Sequence, residues 1–388
     1  MTKRLLLFSF LIIMMTLTAG AQKRWRDQVI KDMQPAILER AAWAKQQQPE
    51  TITAYSCARS AGGVHDFYSE GDYWWPNPVS LDSPYIQRDG QSNPENFVAH
   101  RQAMIRFSRV MGALAAGYMA SQDKTYLEQA LVHAKAWFVN ADTRMNPNLR
   151  FAQAIKGRAT GRGIGIIDTI QLLEVVQALR IMEKAGMVPA ADLAAIKSWF
   201  SEYLTWLTTH PYGKDEMNAA NNHGTCWAMQ VAEFAVFTGN DTLTRFCIDR
   251  YKNVLLPAQM ANDGSFPLEL KRTKPYGYSL FNLDAMTTLC QILSTPKDNL
   301  WKFTADKVKT ISKGISWMYP YVKDKSTWPF AHDVMYWDNW PVAQPFLIFG
   351  AAAYNNNDYY KTWLRLDHDP QVEEVLRNMP VRNPLIWL

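Results

Sequence analysis

The chain has 388 residues, 48% of them hydrophobic and 13% aromatic, which is ample for one large repeat-built domain or for two or three smaller ones. Its formal net charge is +5 with no Lys/Arg block, so nucleic-acid binding gets no support. The 15 tryptophans fit a thick core or a carbohydrate cleft equally well, because sugar rings stack on indole faces.

The chain begins MTKRLLLFSFLIIMMTLTAGAQKRW. Lys3 and Arg4 precede an apolar run from Leu5 to Leu17 that is short for a membrane span, and Ala19, Gly20 and Ala21 offer a small-residue cleavage site. A secretory leader over residues 1–21, cut after Ala21, is expected, leaving 22–388 as a single domain in the periplasm or outside the cell. Losing Lys3 and Arg4 lowers the charge from +5 to +3. No cysteine follows the apolar run, so no lipid anchor is expected, and no later segment resembles a membrane span. Cys57, Cys226, Cys247 and Cys290 are far apart and form no CxxC pair, so buried free thiols are expected.

Helical periodicity dominates from about residue 97. Met104, Phe107, Met111, Leu114 and Tyr118 recur at three- and four-residue steps, as do Leu127, Leu131, Ala134 and Phe138. Leu172, Val175 and Leu179 repeat the pattern. So do Leu193, Ile196, Phe200, Leu204 and Leu207, and then Val308, Ile311, Ile315 and Met318. The breaks are short: SQDKT, then KAGMVPAAD with a Gly stop and a Pro start, then FTGNDTL with a Gly end and an Asn/Asp cap. Short breaks make successive helices antiparallel neighbours. An all-α fold is predicted, an (α/α) toroid or incomplete barrel of antiparallel helix hairpins. No fixed-period repeat marks an open solenoid instead.

Three long polar-aromatic loops interrupt this scaffold, at 57–97, 144–165 and 262–282. Such loops on a rigid frame are where function concentrates. HExxH, GxxxxGK[ST] and GxSxG are absent, and GRGIG at 161–165 follows no strand. No His/Cys cluster has metal-ligand spacing, so neither metal nor cofactor is expected. NNHGT, Asn221–Thr225, stands where a helix begins; by itself it reads as an Asn-rich cap before a buried histidine.

Its surroundings alter that reading. TWLTTHPYGKDEMNAANNHGTCWAMQVAEFAVFTGND resembles the central region of the alginate-lyase superfamily, the helical-toroid polysaccharide lyases, which carry an NNH motif at this place. HDFYSEGDYWWPNP at 65–78 is similar to that superfamily's N-terminal HDxxSxxxYWWP loop, and FAQAIKGRATGRGIGIIDT at 151–169 to its second block. DGSFPLELKRTKPYGYSLFNLDAM at 263–286 resembles its DGSxPxELxRTxxxxYSxFNL segment, and QPFLIFGAAAY and VEEVLRNMPVRNPLIW resemble its C-terminal end. The blocks occur in order over nearly the whole chain after the leader. The single-domain length and the YGYS turn most resemble polysaccharide lyase family 38.

The resemblance implies β-elimination on a uronate polymer, alginate first, with glucuronan as the alternative. Lysis removes the C5 proton beside a carboxylate and expels the C4 oxygen. The carboxylate must be neutralised, and a base and an acid supplied. Carried over by motif, Asn222 and His223 donate to the carboxylate. Arg272 pairs with it or polarises the phenol of Tyr278, the acid. A tyrosine acting also as base needs a pKa below its free value of about 10, from nearby cations. Tyr278 is chosen over Tyr276 because it directly precedes the SxFNL block. In mannuronate the C5 proton and C4 oxygen share a side, so one tyrosine serves both roles. In guluronate they do not, and His223 becomes the base.

Substrate contacts are expected from Tyr73, Trp74 and Trp75 as a stacking wall, with His65, Gln153, Arg158, Arg162, Tyr276, His332 and Tyr336 around them. Packing or surface ion pairs are the competing reading for each. His100 and His133 read as structural. A hydrolase would need two opposed carboxylates; Asp66, Asp263, Glu269 and Asp333 occur only singly. A non-catalytic binder of acidic polysaccharide would keep the aromatic loop and dispense with the acid or base. The protein is expected to act as a monomer.

Overall fold

Apolar stripes that cannot be buried alone pack here as paired helices. The computed structural model describes residues 2–80 and 82–388, with side chains from Lys23 onward. The expected leader and its cut after Ala21 lie outside the residues whose side chains are described. A long helix α1 (Thr2–Lys45) opens the chain. The loop after it carries three short strands, β1 (Tyr68–Glu70), β2 (Trp74–Trp75) and β3 (Ile86–Gln87). Next come α2 (Ala99–Ser121), α3 (Thr125–Phe138), strand β4 (Phe151–Ala154), α4 (Leu172–Lys184), α5 (Ala190–Thr209), α6 (Pro211–Met217), α7 (Asn222–Thr238) and α8 (Asp241–Arg250). Two single turns, α9 (Leu256–Gln259) and α10 (Pro267–Leu270), precede α11 (Pro275–Leu293). The chain closes with α12 (Ile311–Lys323), α13 (Pro345–Tyr354), α14 (Asn357–Arg365) and α15 (Glu373–Arg377).

Helices α2, α4, α7, α11 and α13 touch in succession, and the others lean on them from outside: α1 and α3 on α2, α5 and α8 on α7, α12 on α11, α14 on α13. This is an (α/α) toroid. Helix α7 is buried on nearly every face, which is why its sequence is apolar all round rather than striped. The outer α14 buries only Tyr360, Thr362 and Trp363. No described helix is long and apolar enough to cross a membrane.

Local signals behave as chemistry dictates. Gly239 ends α7 at φ +73°, and Asn240 caps α8 by accepting from the Leu243 N–H at 3.0 Å. The periodicity begins earlier than residue 97: Trp25, Val29, Met33, Ile37, Ala41 and Ala44 make a buried stripe on α1. Val308 does not open the α12 stripe as expected. Thr310 caps that helix by accepting from the Lys313 N–H at 3.3 Å, so Val308 lies outside it and is 36% exposed. All four cysteines are unpaired, and Cys226, Cys247 and Cys290 are buried.

Candidate active site

The first long loop, strand β4, the starts of α7 and α11, and the end of α15 meet around one open cleft. Its lining includes Tyr73, Trp74, Gln153, Arg162, Asn222, His223, Arg272 and Tyr278. Two of the small β pairings set the walls. Strand β1 runs parallel to β4, and β2 runs antiparallel to β3, with Trp74 opposite Gln87. Gln153 sits at φ +49°, a strained value for a non-glycine residue, where it faces the cleft.

NNHGT starts α7. Asn221 is the cap: its backbone is extended, and its side chain accepts from the His223 N–H at 3.4 Å. Gly224 is required by space, since a Cβ there would come within 2.2 Å of the Ala219 carbonyl oxygen. Asn222 is fully buried. Glu269 accepts both its backbone N–H and its side-chain Nδ2 at 2.7 Å. A carboxylate from the ELKRT segment thus satisfies a free N–H group at the start of α7. It also ties the Asn222–His223 pair to the loop that carries Arg272. Burial raises the Glu269 pKa, against the lowering effect of those two bonds.

His223 is oriented by a second acid. Its Nδ1 lies 2.7 Å from Glu216 Oε1, a carboxylate with 0% side-chain exposure at the end of α6. That bond leaves Nε2 for the cleft. Burial opposes a charge on the ring, but the Glu216 charge and hydrogen bond outweigh it, and the His223 pKa lies above its ordinary value. His223 is therefore biased toward the imidazolium, a hydrogen-bond donor.

Tyr278 lies in the first turn of α11. Its helix start is capped from elsewhere, by Asp333, which accepts from the N–H groups of Tyr276 at 2.8 Å and Gly277 at 2.9 Å. The Tyr278 hydroxyl sits 2.8 Å from the Tyr73 hydroxyl and accepts from Arg272 Nη2 at 3.1 Å. The Arg272 guanidinium also stands 4.2 Å from the Tyr278 ring centre and is anchored on Asp89 through bonds of 2.8 and 3.3 Å. Burial and then the neighbouring Tyr73 raise the Tyr278 pKa well above 10, with Arg272 pulling the other way. The depression that a tyrosine acting as base would need is opposed in the free site, where desolvation outweighs the pull of Arg272.

Behind Tyr73 lies a buried ion network. Asp72 accepts from Arg101 at 2.7 and 3.0 Å and pairs with Arg377. Burial works to raise the Asp72 pKa, but the Arg101 and Arg377 charges hold it down at about 2. Arg377 donates to the Tyr73 hydroxyl at 3.4 Å. Lys274 pairs with Glu374 and lies 5.0 Å from the ring of Tyr73 and 5.4 Å from those of Tyr278 and Tyr336.

Several expected contacts fall elsewhere. Tyr276 is fully buried, packed on Trp328 and Trp337, and its hydroxyl donates to the Tyr321 carbonyl, so no face is left for substrate. His65 is bonded to the Arg144 carbonyl, and His332 stacks on Trp337 at 3.9 Å; neither lines the cleft. Trp75 donates to the Gln91 carbonyl under Arg88 and does not line the cleft. Arg158 lies on the Trp74 ring and donates to the Tyr85 carbonyl, and Tyr336 stays outside the lining. His100 accepts from the Tyr68 N–H and His133 contacts the Gln47 carbonyl, both in structural places. Nothing in the sequence marks Asp72, Glu216, Glu269, Asp89 or Arg377 for the roles they fill. Glu216, seven residues before His223 in KDEMNAANNH, has no local signal beyond being an acid near the motif. Among the described residues, no group of three or more His, Cys, Asp or Glu side chains is placed to hold a metal ion.

A family model described as alginate lyase matches residues 51–328. The chain belongs to the alginate lyase family. It is a polysaccharide lyase. An alginate lyase from Bacteroides ovatus has a crystal structure that superposes with a TM-score of 0.80 at 29% identity, over 94% of this chain and 97% of that one. Alginate lyase A1-III from Sphingomonas species A1 shares the fold at 15% identity, with a TM-score of 0.57 over 91% and 94% of the two chains. A variant of that lyase complexed with a tetrasaccharide gives a TM-score of 0.60, also at 15% identity, over the same shares. No curated protein sequence is similar to this family member at a significant level.

Proposed function

We propose that this lyase cleaves alginate by β-elimination, leaving a 4,5-unsaturated uronate at the new chain end. The observation that carries the reading is the Tyr278 hydroxyl, held between Tyr73 and Arg272 in the same cleft as an acid-oriented His223. A substrate carboxylate entering there meets the free Nε2–H of His223, the Arg272 guanidinium and the remaining N–H of Asn222. These donors neutralise the charge and stabilise the dianion that develops when C5 loses its proton. The Tyr278 hydroxyl is the group placed to give a proton to the C4 oxygen as it leaves.

His223 is biased toward a donor, which favours the neutralising role over the base role. The base is then Tyr278, and the favoured substrate is mannuronate, whose C5 proton and C4 oxygen share a side. Tyr278 first gives its own proton to solvent as substrate binds; the phenolate then takes the C5 proton and passes that same proton to the departing C4 oxygen, which regenerates the phenolate. Arg272, 3.1 Å from the oxygen, is the group that offsets the cost of that first deprotonation. Arg162 and Arg377 add positive charge to the cleft, which suits a polyanion. The carboxylates lining the cleft, Asp72 and Asp89, are each held by arginine, so neither is free to act as one of a hydrolase's opposed pair.

The test is ultraviolet absorbance of unsaturated uronate during separate incubations with polymannuronate, polyguluronate and glucuronan. The steepest rise is expected on polymannuronate. A rise only on glucuronan would move the substrate to glucuronate polymers. No rise on any, at high enzyme concentration, would refute the alginate reading and leave an untested acidic polymer as substrate or a binder of acidic polysaccharide. We also assign the protein to the periplasm or the exterior on the strength of the MTKRLLLFSF leader; an intact mass beginning at Gln22 is expected for the exported protein.

A further inference from the structure

A second cavity, of about 390 Å³, is separate from the catalytic cleft and larger than it. It lies between α1, α2 and the C-terminal segment. Helix α15 and the residue after it form a shared wall: Leu376 faces this cavity, while Arg377 and Asn378 face the cleft. The polymer-cleaving chemistry uses none of its side chains.

Its lining combines a partly exposed indole with three arginines. Trp43 is 38% exposed, a large indole left partly uncovered on an otherwise polar rim. The Arg109 guanidinium lies 5.4 Å from that ring centre, so the indole is already held in place by a cation. Three guanidiniums line the cavity, with unequal freedom. Arg109 is paired with Asp369 at 3.2 Å. Arg382 is buried, has Glu174 3.9 Å away, and leaves its Nε without a partner. Arg40 bonds the His368 carbonyl at 3.3 Å, and among the described residues no carboxylate lies within salt-bridge distance of it. His368 adds no positive charge at neutral pH, since burial lowers its pKa to about 4. The carboxylates Glu39 and Asp369 also line the cavity, Asp369 being paired with Arg109. The cavity thus offers one indole face beside Arg40, a cation without a salt-bridge partner among the described residues. That pairing matches a sugar ring carrying a carboxylate: the ring stacks on indole, and the guanidinium takes the carboxylate with two parallel N–H bonds.

We propose that this cavity is a second, non-catalytic site for an acidic sugar chain, in which Trp43 stacks on a ring face and Arg40 binds a uronate carboxylate. The sugar class rests on the uronate-polymer reading above; the site itself does not depend on turnover. Calorimetric titration of the Tyr278→Phe protein with a mannuronate tetrasaccharide counts the sites while cleavage is suppressed. A site present in that protein should disappear in Tyr278→Phe/Trp43→Ala and weaken at least about tenfold in Tyr278→Phe/Arg40→Gln, as expected for the loss of a stacking or carboxylate contact of about 1.4 kcal/mol. If the Trp43 variant fails to fold, as judged by circular dichroism, the Arg40 variant is read alone. In the otherwise wild-type enzyme, Trp43→Ala should leave kcat on the tetrasaccharide within about twofold while raising KM for long polymannuronate several-fold, through loss of an anchoring contact. The proposal falls if neither variant removes or weakens a site. If wild-type protein gives no absorbance change on any uronate polymer while the titration still loses a site, the lyase substrate is wrong and the second site stands.

Discussion

Replacing Glu216 by Gln isolates the charge that orients His223. Gln keeps the size and can still accept from Nδ1, so the ring stays in place while the anion disappears. The carboxylate has 0% side-chain exposure and the His223 side chain 20%, so water screens this 2.7 Å contact little. A charge-assisted hydrogen bond of this kind is worth about 1.5–3 kcal/mol, which corresponds to roughly a ten- to hundredfold loss in kcat/KM at neutral pH. The sign follows from the direction of the shift. Glu216 raises the His223 pKa, so its removal lowers it, and the imidazolium that meets the substrate carboxylate is lost at a lower pH. The alkaline fall of the kcat/KM profile on polymannuronate should therefore move to lower pH, and activity should recover on acidification. The same linkage acts on stability. A histidine with a raised pKa contributes stability that is fully present below its unfolded value of about 6.5 and is lost as pH rises through its folded pKa. Thermal unfolding followed across pH should show that extra acid-side stability in the wild-type chain and lose it in Glu216→Gln. A variant with an unmoved pH profile and unchanged kcat/KM would refute the orienting role of Glu216.

Three further outcomes are expected. Tyr278→Phe should cut kcat on polymannuronate by about 10²–10⁴-fold with unchanged circular dichroism, and near-normal turnover would remove it as the acid. Asn222→Ala leaves buried Glu269 without its side-chain donor and should destabilise the fold by about 1–3 kcal/mol in urea denaturation, besides lowering activity; unchanged stability would mean that Glu269 is satisfied elsewhere. In the native protein Cys57 should react with a thiol reagent while buried Cys226, Cys247 and Cys290 react only on unfolding, so four reactive thiols in the folded state would contradict the packing.

Period and punctuation were enough to place the helical frame. The 3–4 spacing of Met104 through Tyr118, and the Gly239–Asn240 stop and cap, depend on forces acting within one or two turns. Those forces are written locally in the chain. The motif blocks around NNHGT and ELKRT likewise carried Asn222, His223, Arg272 and Tyr278, and all four line one cleft. What the sequence could not supply was partnership at long range. Glu269 caps α7 from 47 positions away, Asp333 caps α11 from 57 away, and Arg377 reaches Tyr73 across 304. No periodicity encodes these contacts, because each depends on where the toroid of helices brings separate segments together. The tertiary structure also decided between neighbours of one chemistry. Tyr276 and Tyr278 lie two residues apart on the same helix start, and only the packing of Trp328 and Trp337 buries the first while the second faces the cleft. Desolvation in that packed setting also raises the Tyr278 pKa, against the lowering effect of Arg272.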